Sequence, residues 1–128
     1  MRYLLDTHTY LWWVRSPKKL SPRVRALFED EATTLLFSAA SAWEIAIKLG
    51  TGKLTSSVPV TRLVVQEPAA QNLEPLPITA AHAALVADLP QHHNDPFDRL
   101  LVAQAIAEDV PLLSRDGQLG AYDVDVIW

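Results

Sequence analysis

Residues 1–14, MRYLLDTHTYLWWV, open on a short apolar run, Tyr3 to Asp6, that passes directly into a stretch of helical period from Thr7 to about Val14. An apolar run that ends on an acid and turns at once into a helix starts a βα unit, and the alternation recurs downstream. Leu35 to Ser38 (LLFS), Val110 to Ser114 (VPLLS) and Val124 to Trp128 (VDVIW) read as three further strands. Their continuous apolar character predicts burial on both faces, as parallel strands require. A further short strand around Leu73 to Ile78 carries Pro75 and Pro77, which confines it to an edge because proline has no amide hydrogen for the ladder. The expected class is α/β, with a central parallel sheet of four to five strands.

The helices between these runs carry their own punctuation. Thr7 to about Val14 stops before Ser16-Pro17, and Ser21-Pro22 opens a second helix that runs to about Glu31. Ser41 to Leu49 is a third, ended by Gly50 and Gly52. Val60 to Ala70 and Thr79 to Leu89 form a pair, the latter capped by Thr79 and stopped by Pro90. Asp95-Pro96 opens the best-specified helix, running to about Asp109.

At 128 residues the chain has the size of one domain, and 49% hydrophobic content supports a core without staples. No cysteine is present, which excludes disulfides, thiolate zinc sites and cysteine nucleophiles. No apolar run is long enough to cross a bilayer, and Asp6 and His8 interrupt the first stretch where a signal peptide would be apolar, so a soluble cytoplasmic protein is expected. Fifteen acids against eleven bases give a net charge of −4, the wrong sign for holding nucleic acid by phosphate neutralisation alone.

Four acids occupy special places. Asp6 ends the first strand, Glu44 is expected in the first turn of the helix after the second, Asp98 lies in the first turn of the helix opened by Asp95-Pro96, and Asp116 follows the third strand. Strand carboxyl ends share one edge of a parallel sheet, where ligand crevices form, so these acids are expected to meet. Each alone has a local explanation. Ser41 and Glu44 fit a capping box, Asp95 and Asp98 fit an N-cap and a dipole-complementing first turn, Asp116-Gly117 is an ordinary turn pair, and Asp6 could cap the helix from Thr7. Capping does not explain the four together, because gathered carboxylates raise one another's pKa unless a cation sits among them. Oxygen donors without cysteine point to a hard cation, Mg²⁺ or Mn²⁺, which polarises a phosphoryl oxygen and activates water. Without these four acids the chain has eleven residues of each sign, so the acidic balance is the site itself.

The ordered segments LLDTHTYLWW, SAWEIAIKLGTGKL, DPFDRLLVAQA and LLSRD span nearly the whole chain, and together they resemble the PIN domain, most nearly the VapC-like toxins of bacterial toxin–antitoxin pairs. The resemblance implies a single three-layer α/β/α nuclease domain over residues 1–128. It also implies an Mg²⁺- or Mn²⁺-dependent endoribonuclease, a homodimer, and silencing by a cognate antitoxin. By position, Asp6, Glu44, Asp98 and Asp116 match the family's acidic quartet; Asp6 and Asp98 are the expected principal metal ligands, Glu44 a ligand or the positioner of the attacking water, and Asp116 a ligand through water or for a second ion. Asp95 has no counterpart in the general pattern and is kept as a helix cap. A haloacid-dehalogenase reading of the DxDxT type fails, because His8 stands where the general acid would be.

Around the quartet, Thr7 and Ser114 are placed to orient a carboxylate, with helix and turn capping as the plainer roles. Arg99 and Arg115 are candidates to hold a phosphate, or else surface ion pairs. Lys48, four residues after Glu44, is spaced for an ion pair that fixes that carboxylate. His82 falls on an Ala-rich helix and His92-His93 in a solvated loop, neither with zinc-site spacing, while His8 stands closer to the acids. Trp12, Trp13, Trp43 and Trp128 read as core or interface residues. Two other classes remain to be tested against the ribonuclease: a non-catalytic acidic crevice for a basic partner, and a phosphoacceptor receiver, which lacks the late lysine it needs because none follows Lys53.

Overall fold

The computed structural model describes all residues, Met1–Trp128. Five parallel strands form one sheet in the order β3-β2-β1-β4-β5: β1 (Arg2–Leu5), β2 (Thr34–Ser38), β3 (Glu74–Leu76), β4 (Leu112–Leu113) and β5 (Val126–Ile127). Registers pair Tyr3 with Leu35, Leu4 with Leu112, Phe37 with Pro75, and Leu113 with Ile127. β3 takes an edge, where the missing amide of Pro75 costs no ladder hydrogen bond.

Successive residues of each central strand feed opposite faces, and both faces are covered. Leu4, Leu36 and Leu112 pack with Leu101, Val102 and Ala105 of α6 (Pro96–Glu108) and with Leu89 after α5 (Ala80–Val86). Tyr3, Leu5, Leu35, Phe37 and Leu113 pack with Tyr10 of α1 (Thr7–Arg15), Val24 of α2 (Pro22–Glu29) and Ile45 of α3 (Ala39–Gly50). The result is the three-layer α/β/α sandwich, and the two-sided burial accounts for the unbroken apolar runs.

Two local findings modify the sequence reading. The segment around Val60 to Ala70 is helical, but Arg62–Gln66 forms a wide π turn before α4 (Glu67–Ala70). Pro68 has no amide hydrogen, and its ring would crowd the carbonyl of Val64, so the preceding turn opens. The helix after β2 begins earlier than Ser41: Ser38 is its N-cap, its hydroxyl accepting from the Ala40 amide at 2.9 Å. Glu44 consequently lies in the second turn and does not join a capping box with Ser41.

Candidate active site

Asp6 and Asp116 follow strands, Asp98 lies in the first turn of α6 and Glu44 in the second turn of α3, all toward the carboxyl edge of the sheet. Asp6 is the residue after β1 and the N-cap of α1, yet its side chain makes no capping hydrogen bond. It turns inward, 6% exposed, and its Oδ2 accepts from the Ser114 hydroxyl at 2.6 Å. Burial pushes the Asp6 carboxyl above its usual range; Glu44 adds to this, while the Ser114 hydrogen bond and His8 oppose it.

Glu44 is buried and held at both oxygens. Its Oε1 accepts from the Thr7 hydroxyl at 2.7 Å and its Oε2 from Lys48 Nζ at 2.8 Å, with the Thr7 and Ser41 hydroxyls 2.9 Å apart beside it. The i,i+4 spacing on α3 sets the Lys48 contact. Glu44 raises the Lys48 pKa, chiefly through that hydrogen bond, with Asp95 and Asp98 adding to the effect.

Asp95 caps α6, its Oδ1 accepting from the amides of Phe97 at 2.8 Å and Asp98 at 3.2 Å. That cap leaves the Asp98 carboxylate free to face the other acids. Burial first, then the negative charges of Asp6, Asp95 and Glu44, push Asp98 up to about 7, against the opposing pull of His93. Asp116 caps the short 3₁₀ helix Gly117–Ala121, its Oδ1 accepting from the Gln118 amide at 3.0 Å. Its own amide donates to Ser114 Oγ at 3.0 Å. Ser114 thus accepts from the backbone of Asp116 and donates to Asp6, which fixes its hydroxyl and joins two of the acids.

His93, assigned by the sequence to a solvated loop, instead closes the group. Its Nε2 lies 3.4 Å from Asp98 Oδ2 and 3.4 Å from Asp116 Oδ2, and the three side-chain atoms lie within 4.8 Å of one another. The Asp95 amide donates to His93 Nδ1 at 3.2 Å, which turns Nε2 toward both carboxylates. Its position two residues before a helix N-cap at this sheet edge was the available signal.

Arg99 departs from the sequence expectation of a phosphate contact. Its guanidinium is buried, donating to the carbonyls of Pro90, Val86 and Leu89 and to the Tyr122 hydroxyl, because on α6 it faces the α5 side. Arg115 is exposed and stands 6.0 Å from the centroid of Trp12. His82 forms a reciprocal capping box with Thr79 and lies 3.4 Å from Glu108, away from the acids.

Acids from four separated segments therefore converge, with hydroxyls of Thr7, Ser41 and Ser114 orienting them. Asp6 and Asp98, which burial and neighbouring charge push toward the protonated state, gathered with the oxygens of Glu44 and Asp116, form a donor set fitted to a hard divalent cation, which would relieve the repulsion. Asp6, Asp98 and Asp116 could hold such an ion, with Glu44 pinned alongside.

A family model described as PIN domain matches residues 3–125. The chain is 31% identical over 120 residues to Ribonuclease VapC22 of Mycobacterium tuberculosis, covering 93% of this chain and 90% of that protein. It is 40% identical over 60 residues to Ribonuclease VapC16 of the same organism, covering 47% of this chain and 43% of that one. Among solved structures, VapBC2 from Rickettsia felis, bound to a DNA fragment from its promoter, superposes with a TM-score of 0.73 at 16% identity, covering 99% of this chain and 98% of that one. FitAcB from Neisseria gonorrhoeae superposes with a TM-score of 0.65 at 23% identity, covering 98% and 96%. Both structures share the fold described above. With its model match over nearly the full length and the acids at the sheet edge, this chain belongs to the PIN domain family, in the branch that holds the VapC ribonucleases.

Proposed function

We propose that the chain is one PIN nuclease unit that hydrolyses RNA phosphodiesters as a divalent-metal-dependent endoribonuclease, the toxin of a toxin–antitoxin pair. The observation that carries this reading is the convergence of Asp6, Glu44, Asp98 and Asp116, the first two buried, with Asp98 pushed up to about 7 and Asp6 raised in the same sense. The likeness to Ribonuclease VapC22 supports RNA as the substrate. The VapBC2 and FitAcB folds are consistent with an antitoxin partner. A homodimer acting in the cytoplasm completes the proposal; no helix is long and apolar enough to cross a membrane.

In this reading Asp6 and Asp98 hold Mg²⁺ or Mn²⁺, and Asp116 contributes directly or through water. The bound ion supplies Lewis acidity toward a phosphoryl oxygen and a water made acidic enough to attack near neutral pH. Glu44, fixed by Thr7 and Lys48, would orient an attacking water. Ser114 keeps the Asp6 carboxylate aimed inward. His93 stands between Asp98 and Asp116, its Nε2 3.4 Å from an oxygen of each.

The test is cleavage of a labelled RNA by purified protein with Mg²⁺ or Mn²⁺, arrested by EDTA. Asp6→Asn should abolish cleavage while circular dichroism and the gel-filtration profile stay those of the parent. Full metal-dependent cleavage by that variant would remove Asp6 from the site, and cleavage indifferent to EDTA would remove the metal.

A further inference from the structure

A groove of about 470 Å³ opens beside the acids, between α1, the C-terminal half of α3 and the residues that follow it. Arg15, Lys19, Lys48 and Lys53 line it, and no carboxylate does. Four of the eleven basic residues of a chain with net charge −4 therefore gather in one place. Lys48 is committed to Glu44, whereas Arg15, Lys19 and Lys53 are exposed and take no part in any ion pair. Lys19 Nζ stands 5.9 Å from the Trp12 ring centroid, and Trp12 is half-buried against Trp128 with His8 and Arg115 also about its ring.

The groove adjoins the acid cluster: Thr7 and Lys48 belong to its lining, and both bond Glu44. Cations spaced along a channel with one aromatic ring between them suit a polyanion that carries flat bases. Phosphates meet the ammonium and guanidinium groups while a base stacks on the ring. An acidic peptide suits the groove less well, since Glu44 lies directly behind its Thr7 and Lys48 wall and Lys48 is already neutralised by it.

We propose that this groove binds the single-stranded RNA flank adjoining the scissile bond, with phosphates on Arg15, Lys19 and Lys53 and a base against Trp12. The inference rests on the ribonuclease reading and extends it to how an acidic protein holds its substrate. The positive charge that the overall composition denies is concentrated on one wall.

The test uses a fluorescein-labelled single-stranded RNA titrated with the full chain in EDTA, which withholds the ion that the proposed cleavage needs, by fluorescence anisotropy at several salt concentrations. The double variant K19A/K53A should bind at least about tenfold more weakly, and the slope of log affinity against log salt should fall by about 1.4, about 0.7 for each lost single-strand phosphate contact. K19R/K53R should restore both. The two lysines are exposed, so the Ala variant should melt with the parent, and an unchanged melting temperature certifies the comparison. An unaltered affinity and salt slope would overturn the groove. So would tighter binding of an Asp/Glu-rich peptide than of RNA, lost in the same variant. If the parent cleaves RNA and K19A/K53A binds as the parent does, the ribonuclease reading stands without the groove. If the parent cleaves nothing but binds RNA through these lysines, the groove stands without that reading.

Discussion

The molecule gathers acids at both ends of its sheet, and the two gatherings differ in kind. At the carboxyl edge, Asp6 and Glu44 are buried, Asp98 is largely so, and hydroxyls from distant segments, with a lysine and a histidine nearer in sequence, hold them. At the opposite edge, Asp109, Asp123 and Asp125 border a groove of about 530 Å³ near the start of β5, and all three are exposed. Water and salt screen charges at such positions, so their proximity costs little and demands no counter-ion. Proximity of acids is therefore a weak signal of function. Burial among other acids that raises the pKa of two of them, Asp6 and Asp98, is a strong one.

The largest expected contrast is in catalysis. Asp98→Asn should lower metal-dependent RNA cleavage by more than about a hundredfold, beyond the usual cost of losing a group that merely supports a metal ligand. Asp123→Asn at the far edge should leave the rate at the parental value. Equal effects of the two substitutions, measured on one labelled RNA, would erase the distinction between the two ends.

A second contrast is in stability against pH without metal. Asp98 has an ordinary pKa of 3.8 and a native value of about 7. Between these limits the native state binds more protons than the unfolded chain, so unfolding free energy falls as pH rises. Urea denaturation in EDTA should show a loss of roughly 1 to 3 kcal/mol from pH 4.5 to pH 8, reduced in Asp98→Asn and retained in Asp123→Asn. Saturating Mg²⁺ or Mn²⁺ should recover stability, more at pH 8 than at pH 6, because the ion competes with that proton. A parental profile that is flat, or that rises with pH, would contradict the unrelieved burial of Asp98.

The smallest effect belongs to the far edge alone. Asp109 ends α6 with φ 54°, a left-handed conformation that suits glycine better. Asp109→Gly should raise stability by about 0.5 kcal/mol, the relief of side-chain crowding exceeding the added freedom of the unfolded chain. Cleavage should not change, and a loss of activity would show that the two ends are coupled.

Much of this architecture can be read from local pattern. The strand runs, the Ser21-Pro22 and Asp95-Pro96 helix starts, the edge position of the proline-bearing strand and the Lys48 to Glu44 spacing depend on neighbours within a few residues, and each reappears in the structure. The errors share a cause. Ser41 and Ser38 both suit an N-cap, and only the end of β2 decides between them, which moves Glu44 by a turn. Arg99 follows a site acid in sequence but points some 100° away around a helix, into the α5 side. His93 lies in a polar stretch with no periodicity, and its contacts are with residues that the sheet order brings near.

The chain's own order of residues determined the layers, the helix starts and which acids stand at strand and helix ends, because apolar periodicity and capping act over one or two turns. Only the tertiary structure decided that Ser114 would join Asp6 to Asp116, that His93 would span two carboxylates, and that Arg15, Lys19 and Lys53 would share one wall with Trp12. Those relations arise from strands adjacent in space but separated by up to about a hundred positions in the chain, such as β1 and β4. Burial then sets their electrostatics, which no single segment carries by itself.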